Sequence, residues 1–408
     1  MKHLLILITS ILLFTACSKD DTQEPTGPVQ RSLLVFVSAE NDLTNYADLD
    51  INEMIEGYRQ AANGNDLLIF VDRASYTEMP FIIRINKWSD HPVDTLDKYP
   101  TDFYVSNPDN FKEILQRMKQ LSPAREYALT FWGHADGWKI ENNRRAYGID
   151  NGNNQPTKNG LWLDIPDMRK ALEAIGTTWK FIFFDCCNMQ NIEVAYELRN
   201  VTDYLIAAPS EITGIGAPYD VITKDFFITD DQRMYTSLCD DYHAQITDNT
   251  GRLTPAGDRQ LPISTIKTSE VQALANATKL LLPEIAEYLK TSYATKDIIY
   301  YYAYDKNQDN EKVMYDMKDM ISSVFAEKTE KYAAWETVFN QTVVYARAKG
   351  RWHGNCVNFN DFTITPEKIG CVSMFFPMEK YNTAKYKYNE DIKLMQWYQA
   401  VGWSTVGW

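Results

Sequence analysis

Residues 179–189 have the sequence WKFIFFDCCNM, in which a nearly continuous apolar run ends in an acid and two adjacent cysteines. The apolar part, Trp179 to Phe184, predicts a strand that is buried on both faces, because apolar side chains alternate to both sides. A helix is predicted from about Gln190 to Arg199, and a further strand from Tyr204 to Ala208. Strand, helix and strand at this spacing indicate a βαβ crossover, the unit of a parallel sheet.

The same alternation continues towards the N-terminus. Apolar residues at helical spacing predict a helix from Ile165 to Ile175, with Asp164 as its N-cap, Pro166 in its first turn and Gly176 past its end. Further strands are predicted at Ser32–Ser38, Asp66–Asp72 and Tyr127–Trp132, and further helices around Ile51–Tyr58 and Phe111–Met118. The pattern predicts an α/β sandwich with a mainly parallel sheet, whose ligands bind at the C-terminal ends of the strands.

The last part of the chain has a looser pattern. A helix is predicted around Val271 to Leu281, a Tyr-rich segment surrounds Tyr300, and a strand is predicted at Val372 to Phe376. We therefore predict an α/β core over residues 31–230. Residues 231–408 are predicted to form a mostly helical part that packs on this core and can add a strand to its sheet.

Two reactive side chains follow predicted strands. His134 comes two residues after Trp132, and Cys187 comes two residues after Asp185. Because parallel strands end at one edge of the sheet, these side chains are predicted to face each other across a cleft. There a thiolate can attack a carbonyl carbon while an imidazole transfers the proton, and a helix that begins just after Cys187 would favour the thiolate. Taken alone, Cys187 can equally be a small core residue and His134 a hydrogen-bonded loop residue.

Three motifs resemble the clostripain family of cysteine peptidases. They are His134-Ala135-Asp136-Gly137-Trp138, Asp185-Cys186-Cys187-Asn188-Met189 and Glu193-Val194-Ala195-Tyr196-Glu197. Ala39–Leu43 and Phe375–Pro377 are also similar, so the resemblance covers the chain from about Arg31 onward. It implies a caspase-like three-layer α/β sandwich and a Cys187/His134 dyad that hydrolyses peptide bonds of a protein or peptide through a thioester. It also implies that no metal or organic cofactor is needed.

The resemblance implies different roles for the two adjacent cysteines. The nucleophile is the third residue of Asp-x-Cys-x-Met, which is Cys187. Cys186 is expected to pack on the opposite side, and a vicinal disulfide between the two is the alternative. The family's oxyanion hole implies the backbone N–H groups of Cys187 and of Ala135, where the family more often has glycine. A backbone angle that only glycine tolerates would disturb this hole.

Substrate specificity is where the sequence departs from the family. Members that cut after Arg or Lys have an acid in the loop after the fifth strand, and Ile215 occupies the matching position. An apolar side chain cannot offset the cost of burying a cation, so strict basic specificity does not carry over. Asp185, Glu211 and Asp220 are alternative sources of negative charge for the pocket. Asp185 can instead be a strand-end acid that local amide groups satisfy.

Family members are often activated by cleavage of a loop after the histidine strand. Residues 141–160 are polar and rich in Gly and Asn, which predicts an exposed loop, with Arg144 or Arg145 as a site of self-cleavage. Some relatives need calcium. No EF-hand-like loop is present, so calcium stays open and no metal ligand is predicted.

The N-terminal segment predicts export and lipidation. The apolar run from Leu4 to Phe14 is too short to span a bilayer and is typical of a secretory signal peptide. The residues up to Cys17 resemble a bacterial lipobox, so residues 1–17 are the predicted lipoprotein signal peptide with Cys17 as the acylated residue; plain secretion is the alternative. Residues 18–30 are a predicted tether, and their acidic start resembles Bacteroidetes surface-export signals. We expect a lipid-anchored protein of the bacterial envelope, in the outer membrane and at its surface.

The net charge and the number of cysteines limit the classes of partner and of reaction that the chain can have. The formal net charge of -14 disfavours nucleic acid, which requires a basic surface. If Cys17 carries lipid, five cysteines remain, and an odd number leaves at least one thiol unpaired. The sequence therefore predicts an envelope-anchored cysteine endopeptidase. The alternatives are a catalytically inactive caspase-like surface lipoprotein that binds a partner, and an amidase that acts on peptidoglycan.

Overall fold

The computed structural model describes residues 27–75, 77–87, 89–139, 146–152, 160–247, 260–325, 327, 329–383 and 387–408. The predicted signal peptide with Cys17, most of the predicted tether, and Arg144 and Arg145 lie outside these residues. Within the described ranges, no helix combines the length and the apolar character that a membrane span requires.

Strands and helices alternate along the first half of the chain, as predicted. The strands are β1 (Val29–Ala39), β2 (Asp66–Arg73), β3 (Phe81–Ile85), β4 (Val93–Lys98), β5 (Ala124–Trp132), β6 (Tyr147–Asp150), β7 (Leu161–Leu163), β8 (Trp179–Asp185), β9 (Thr202–Ala207), β10 (Ile263–Lys267), β11 (Tyr300–Ala303), β12 (Lys312–Asp316), β13 (Val343–Arg347) and β14 (Ser373–Met374). The helices are α1 (Thr44–Tyr58), α2 (Pro108–Leu121), α3 (Ile165–Ile175), α4 (Ile192–Leu198), α5 (Tyr219–Ile222), α6 (Asp231–Thr247), α7 (Val271–Tyr288), α8 (Met317–Val324), α9 (Glu330–Thr342), α10 (Tyr388–Asp391) and α11 (Gln396–Val401).

A nine-stranded sheet is the central layer, with the order β13-β10-β9-β8-β5-β1-β2-β3-β4. Its five middle strands, from β9 to β2, are parallel, and two antiparallel strands extend the sheet on each side. The predicted α/β fold with a mainly parallel sheet is therefore confirmed. The outer pair β10 and β13 comes from the last part of the chain, which contributes strands as well as helices; the division at residue 230 stays a prediction.

Alternating side chains of the strands build two cores, one on each face of the sheet. Leu34 and Phe36 of β1 point to the face covered by α2, α3, α4, α7 and α11. Leu33 and Val35 of the same strand point to the face covered by α1, α5 and α6. Because both faces are covered, the middle strands contain runs of apolar residues that face both sides, and this is the pattern by which the sequence predicts them.

The motif at 193–197 forms α4, and its two acids bind the backbone of the last part of the chain. Glu193 Oε1 accepts the N–H of Phe375 at 2.8 Å, and Glu197 Oε1 accepts the N–H of Gln396 at 2.6 Å. Both carboxyl groups are buried, and Glu197 also pairs with Arg169 at 2.8 Å. Burial raises the pKa of Glu193 to about 8, although the hydrogen bond from Phe375 opposes the shift.

We expect Glu193 to make the stability of the protein depend on pH. Its pKa is above the ordinary 4.5 in the fold, so the stabilisation is complete below pH 4.5 and is lost as the pH rises to about 8. In that window the free energy of unfolding should fall by up to about 1.4 kcal/mol per pH unit relative to Glu193→Gln, which keeps an acceptor and cannot ionise. Urea unfolding of both proteins between pH 5 and pH 9 measures this difference. The exposed Glu287→Gln is the matched control, and parallel curves for wild type and Glu193→Gln would contradict the prediction.

Candidate active site

The predicted catalytic side chains follow two neighbouring parallel strands. In the pairing of β5 with β8, Trp132 lies opposite Asp185, so His134 and Cys187 each come two residues past a paired position. Neighbouring strands lie about 4.8 Å apart, and both residues therefore emerge at the same edge of the sheet. The structure thus places the two residues that the sequence pairs at one edge of the sheet.

The Cys187 side chain is half-buried against the loop after β9. Its Sγ accepts the backbone N–H of Ile212 at 3.4 Å and lies 3.9 Å from the Ile212 carbonyl oxygen. The next residue, Asn188, has a left-handed backbone with φ 61°, and its N–H donates to Ser210 O at 2.9 Å. These contacts hold the loop that contains Cys187 and Asn188 against residues 210–212.

Cys186 points to the other side of the chain. It is fully buried, and its Sγ donates to the carbonyl oxygen of Phe131 at 3.4 Å. All five cysteines in the described part of the chain are free thiols, so the vicinal disulfide is not formed. This agrees with the expectation that Cys186 packs in the core.

The expected helix-dipole stabilisation of a Cys187 thiolate is wrong. Helix α4 begins at Ile192 with Asn191 as its N-cap, and the effect of a helix dipole falls off within one turn. Burial raises the pKa of the Cys187 thiol to about 12; the Ile212 N–H lowers it and the carboxylate of Glu211 raises it.

The imidazole of His134 is bound by an acid that the sequence analysis did not single out. His134 Nε2 lies 2.7 Å from Asp42 Oδ1, and the exposed fractions of the two side chains are 33% and 84%. Within the described residues, no hydrogen bond joins the His134 ring to the Cys187 sulfur. The sequence could have indicated Asp42 through its place in the Ala39–Leu43 segment. This segment lies at the end of β1, at the same sheet edge as the end of β5.

Glycine is needed in the histidine loop at positions other than Ala135. Gly133 and Gly137 have φ values of 141° and 71°, and a Cβ on Gly133 would lie 2.8 Å from Ser38 O. Ala135 is not among the residues with positive φ, so its side chain causes no strain. The backbone N–H groups of Ala135 and Cys187 donate no hydrogen bond within the described part of the chain.

The clostripain family model, Peptidase_C11, matches residues 35–408. The chain belongs to the clostripain family of cysteine peptidases.

Three solved structures share the fold of this clostripain-family chain over 92% of its length and 99% of theirs. A secreted C11 cysteine protease from Bacteroides thetaiotaomicron, solved with an irreversible peptide inhibitor, is 26% identical with a TM-score of 0.74. An inactive zymogen C11 protease from Parabacteroides distasonis is 22% identical with a TM-score of 0.72. A second secreted C11 protease from Bacteroides thetaiotaomicron, iotapain, is 19% identical with a TM-score of 0.71. No curated protein sequence matches significantly.

These findings establish a cysteine peptidase of the clostripain family with its mixed α/β fold, and they imply protein or peptide substrates. The predicted family, fold class and enzyme class are therefore confirmed. The dyad, the substrate preference and the lipid anchor stay predictions.

Two of the three pocket candidates of this clostripain-family peptidase face the protein core. Asp185 is 2% exposed, and its carboxylate accepts the N–H of Ala217 at 3.1 Å and the hydroxyl of Tyr242 at 3.2 Å. Burial raises the pKa of Asp185 to about 6, which these hydrogen bonds partly oppose. Ile215 is half-buried and packs against the core on the α1 and α6 side of the sheet. From its buried position, Asp185 therefore holds the loop after β9 through its hydrogen bond from Ala217.

Glu211 is the pocket candidate that stays beside the thiol. It is half-buried and directly precedes Ile212, the residue that contacts the Cys187 sulfur. Its carboxylate accepts the backbone N–H of Cys356 at 3.2 Å and lies 3.6 Å from the Cys356 sulfur. Glu211 and Asp136 each raise the pKa of both thiols electrostatically, so negative charge surrounds the cysteine.

The predicted cleavage loop contains an ordered strand. Within residues 141–160, Tyr147–Asp150 forms β6, which pairs with β7, while Tyr147 also forms a bridge with Ala135. Three of its four residues are buried, so the expectation of one continuous exposed loop is wrong. The predicted cleavage at Arg144 or Arg145 lies outside the described residues.

Proposed function

We propose that this clostripain-family peptidase cuts peptide bonds with Cys187 as nucleophile and His134 as proton-transfer group. The supporting observation is the register of β5 with β8, which carries both residues to one sheet edge. The sulfur attacks the carbonyl carbon and forms a thioester, while the imidazole takes the thiol proton and gives it to the leaving amine. Water, deprotonated by the imidazole, then hydrolyses the thioester and restores the thiol.

The raised pKa of the Cys187 thiol and the unengaged amides fit this sequence of steps. In it the imidazole of His134 takes the thiol proton as the sulfur attacks the bound substrate. The N–H groups of Ala135 and Cys187 are the proposed oxyanion donors, and one such donor contributes about 3 kcal/mol to transition-state stabilisation. No metal or organic cofactor takes part in these steps.

We also propose that the peptidase prefers Arg or Lys before the scissile bond, with Glu211 as the pocket acid. The Ile215 side chain packs towards the core, so it does not oppose a cation at the position where it replaces the family's acid. Glu211 lies next to the Cys187 contact, and its charge already acts on the thiol. The positive charge of a substrate Arg or Lys in this region would offset the negative charge of the partly exposed Glu211 carboxylate.

Glu211→Gln is expected to reduce the preference for Arg and Lys over Leu about tenfold, or about 1.4 kcal/mol, because the pocket loses one charge. The measurement is kcat/KM on peptides that differ only in the residue before the scissile bond. Asp220→Asn is the matched control, since Asp220, in α5 just after that loop, is another acid that can supply charge. An unchanged preference in Glu211→Gln and a reduced one in Asp220→Asn would assign the pocket to Asp220.

The test of the proposed function is hydrolysis of a positional-scanning peptide library by the chain from Ser18 onward, beside Cys187→Ala. We expect cleavage by the wild type alone, because Cys187→Ala lacks the proposed nucleophilic sulfur. No cleavage, even after a protease has cut within residues 141–145 or 153–159, would favour the partner-binding lipoprotein. Release of muropeptides without cleavage of peptides would favour the amidase.

Asp42→Ala is expected to lower kcat about fivefold with little change in KM, because an exposed ion pair contributes up to about 1 kcal/mol to holding the His134 ring. Asp42→Asn, which keeps an acceptor, should recover most of the loss. Asp48→Ala, an exposed acid of the same region that pairs with Arg73, is the control. Steady-state kinetics of the three variants measure the effect, and a change confined to KM would mean that Asp42 contacts substrate instead.

We propose that Cys17 carries a lipid that anchors the peptidase in the bacterial envelope, in the outer membrane. The support is the lipobox-like sequence that ends at Cys17 and the polar tether that follows it. Metabolic labelling with a palmitate analogue should mark the wild type and leave Cys17→Ser unlabelled. Labelling of neither chain would favour plain secretion.

A further inference from the structure

Three buried carboxyl groups meet beside the histidine loop and have no role in the proposed reaction. Glu40 follows β1, Asp72 belongs to β2 and Asp150 ends β6, and one oxygen of each lies within 4.8 Å of the others. The exposed fractions of the three side chains are 1%, 1% and 0%. Carboxylates this close and this deeply buried are unfavourable unless protons or a cation offset their charge.

Two oxygen atoms at this place lack hydrogen-bond partners. Asp72 Oδ2 has none among the described residues, although its side chain is 99% buried. Ser38, which lies opposite Asp72 in the pairing of β1 with β2, is fully buried, and its Oγ also has none within the same residues. Orphaned buried polar atoms are rare in proteins, and an ion at the site is one established reason for them.

The chemistry of the ligands selects the kind of ion. The three side chains offer only carboxylate oxygens, and Ser38 can add a hydroxyl oxygen. Such hard oxygen ligands suit Ca²⁺ and Mg²⁺, whereas Zn²⁺ sites are typically built with His or Cys.

We propose that Glu40, Asp72 and Asp150 bind one hard divalent cation, calcium or magnesium, beneath the histidine loop. The remaining coordination positions would be filled by water and by Ser38 Oγ, because Ca²⁺ takes six to eight oxygen ligands and Mg²⁺ six. The cation would join three separate segments of the chain: the turn after β1, the end of β2 and the end of β6.

Two of these segments, the turn after β1 and β6, support the histidine. Glu40 is two residues from Asp42, which binds His134, and the intervening Asn41 donates its Nδ2 to Ile149 O at 2.9 Å. In β6, the N–H of Gly148 donates to His134 O at 2.8 Å. A cation that clamps Glu40 to Asp150 would therefore hold the imidazole and its acid in one arrangement. This consequence rests on the proposed function; the binding of the cation does not.

The competing explanation is that the carboxyl groups share protons. Asp150 accepts the N–H of Gly152 at 2.8 Å and that of Val105, and it interacts with Glu40 by a side-chain hydrogen bond. In that case Asn at position 72 or 150 would replace a neutral group by another neutral group of the same shape. The two explanations therefore predict opposite responses to the same variants.

The test measures binding in the Cys187→Ala chain, so that self-cleavage cannot change the protein. After treatment with a chelator, Tb³⁺ is titrated as the probe, since the ring of Tyr104 packs against Gly152 and can sensitise its luminescence. Saturable luminescence that Ca²⁺ or Mg²⁺ displaces is expected, together with a rise of the melting temperature on addition of the displacing ion. The ion that acts at the lower concentration identifies the natural cation.

Asp72→Asn and Asp150→Asn should each weaken Tb³⁺ binding at least tenfold and abolish the rise of the melting temperature, whereas Asp305→Asn, at an acid outside the cluster, should do neither. Circular dichroism establishes that each variant is folded. Equal luminescence in wild type and in both folded variants, or a melting temperature that neither ion changes, would overturn the site in favour of shared protons. If the cation binds but no condition yields peptide cleavage, the proposed function fails and the site stands.

Discussion

Cys187→Ala is expected to lower kcat/KM by about 10³-fold or more while changing the free energy of unfolding by less than about 1 kcal/mol. Cys187 is half-buried, and within the described residues its sulfur bonds to the backbone of Ile212, so its removal disturbs little apart from the reaction. The matched control is Cys186→Ala, which removes a fully buried sulfur one residue away. This control should lose about 1 kcal/mol of stability and keep its kcat/KM within a few-fold.

Peptide hydrolysis measures the loss of activity in each variant, and urea unfolding measures the loss of stability. The reverse result, an inactive Cys186→Ala and an active Cys187→Ala, would move the nucleophile to the neighbouring residue and contradict the role of the Asp-x-Cys-x-Met motif. Full activity of both variants would exclude either thiol as the nucleophile.

Gly216→Ala is expected to destabilise the protein by about 3 kcal/mol and to reduce kcat/KM about tenfold or more. Gly216 has φ 72°, where alanine is strained. An added Cβ would also lie 2.8 Å from Asp50 Oδ2 and 2.9 Å from Asp185 Oδ2, both of which are buried. The loop has to move away from these carboxyl groups, and Ile212 and Glu211 move with it.

Gly214→Ala is the control within the same loop. Its φ is not in the positive range, and its Cβ would meet only the Tyr46 ring at 3.4 Å, an ordinary contact. We therefore expect the free energy of unfolding of Gly214→Ala to lie within about 0.5 kcal/mol of the wild-type value, and its kcat/KM to be unchanged. Equal effects of the two variants in urea unfolding and peptide hydrolysis would mean that loop flexibility, and not the contact with Asp50 and Asp185, sets the outcome.

The strands that carry the site could be predicted because their signal is local. Apolar residues fill both faces of Trp179–Phe184, so the strand, its end at Asp185 and the cysteine beyond it follow from the sequence. The pairing of His134 with Cys187 then needs only the rule that parallel strands end at one edge. The antiparallel strands β10 and β13 were harder to predict, because they join the sheet from segments far along the chain.

The details that govern reactivity depend on contacts between distant residues. The start of α4 at Ile192 was predicted two residues early, since the turn before it is held by Ser210 and by the left-handed Asn188. The acid on His134 comes from a different strand end, and the burial that raises the pKa of Cys187 comes from the loop after β9. Local periodicity contains no information on any of these.

The hydrogen bonds between the α4 region and the last part of the chain also have a consequence for biosynthesis. Glu193 binds Phe375, Glu197 binds Gln396, and the backbone of Gln190 accepts the N–H of Ser373 at 3.0 Å. A chain that is still being synthesised lacks these partners until residues 373–396 have been added, so the three hydrogen bonds form only when translation is nearly complete.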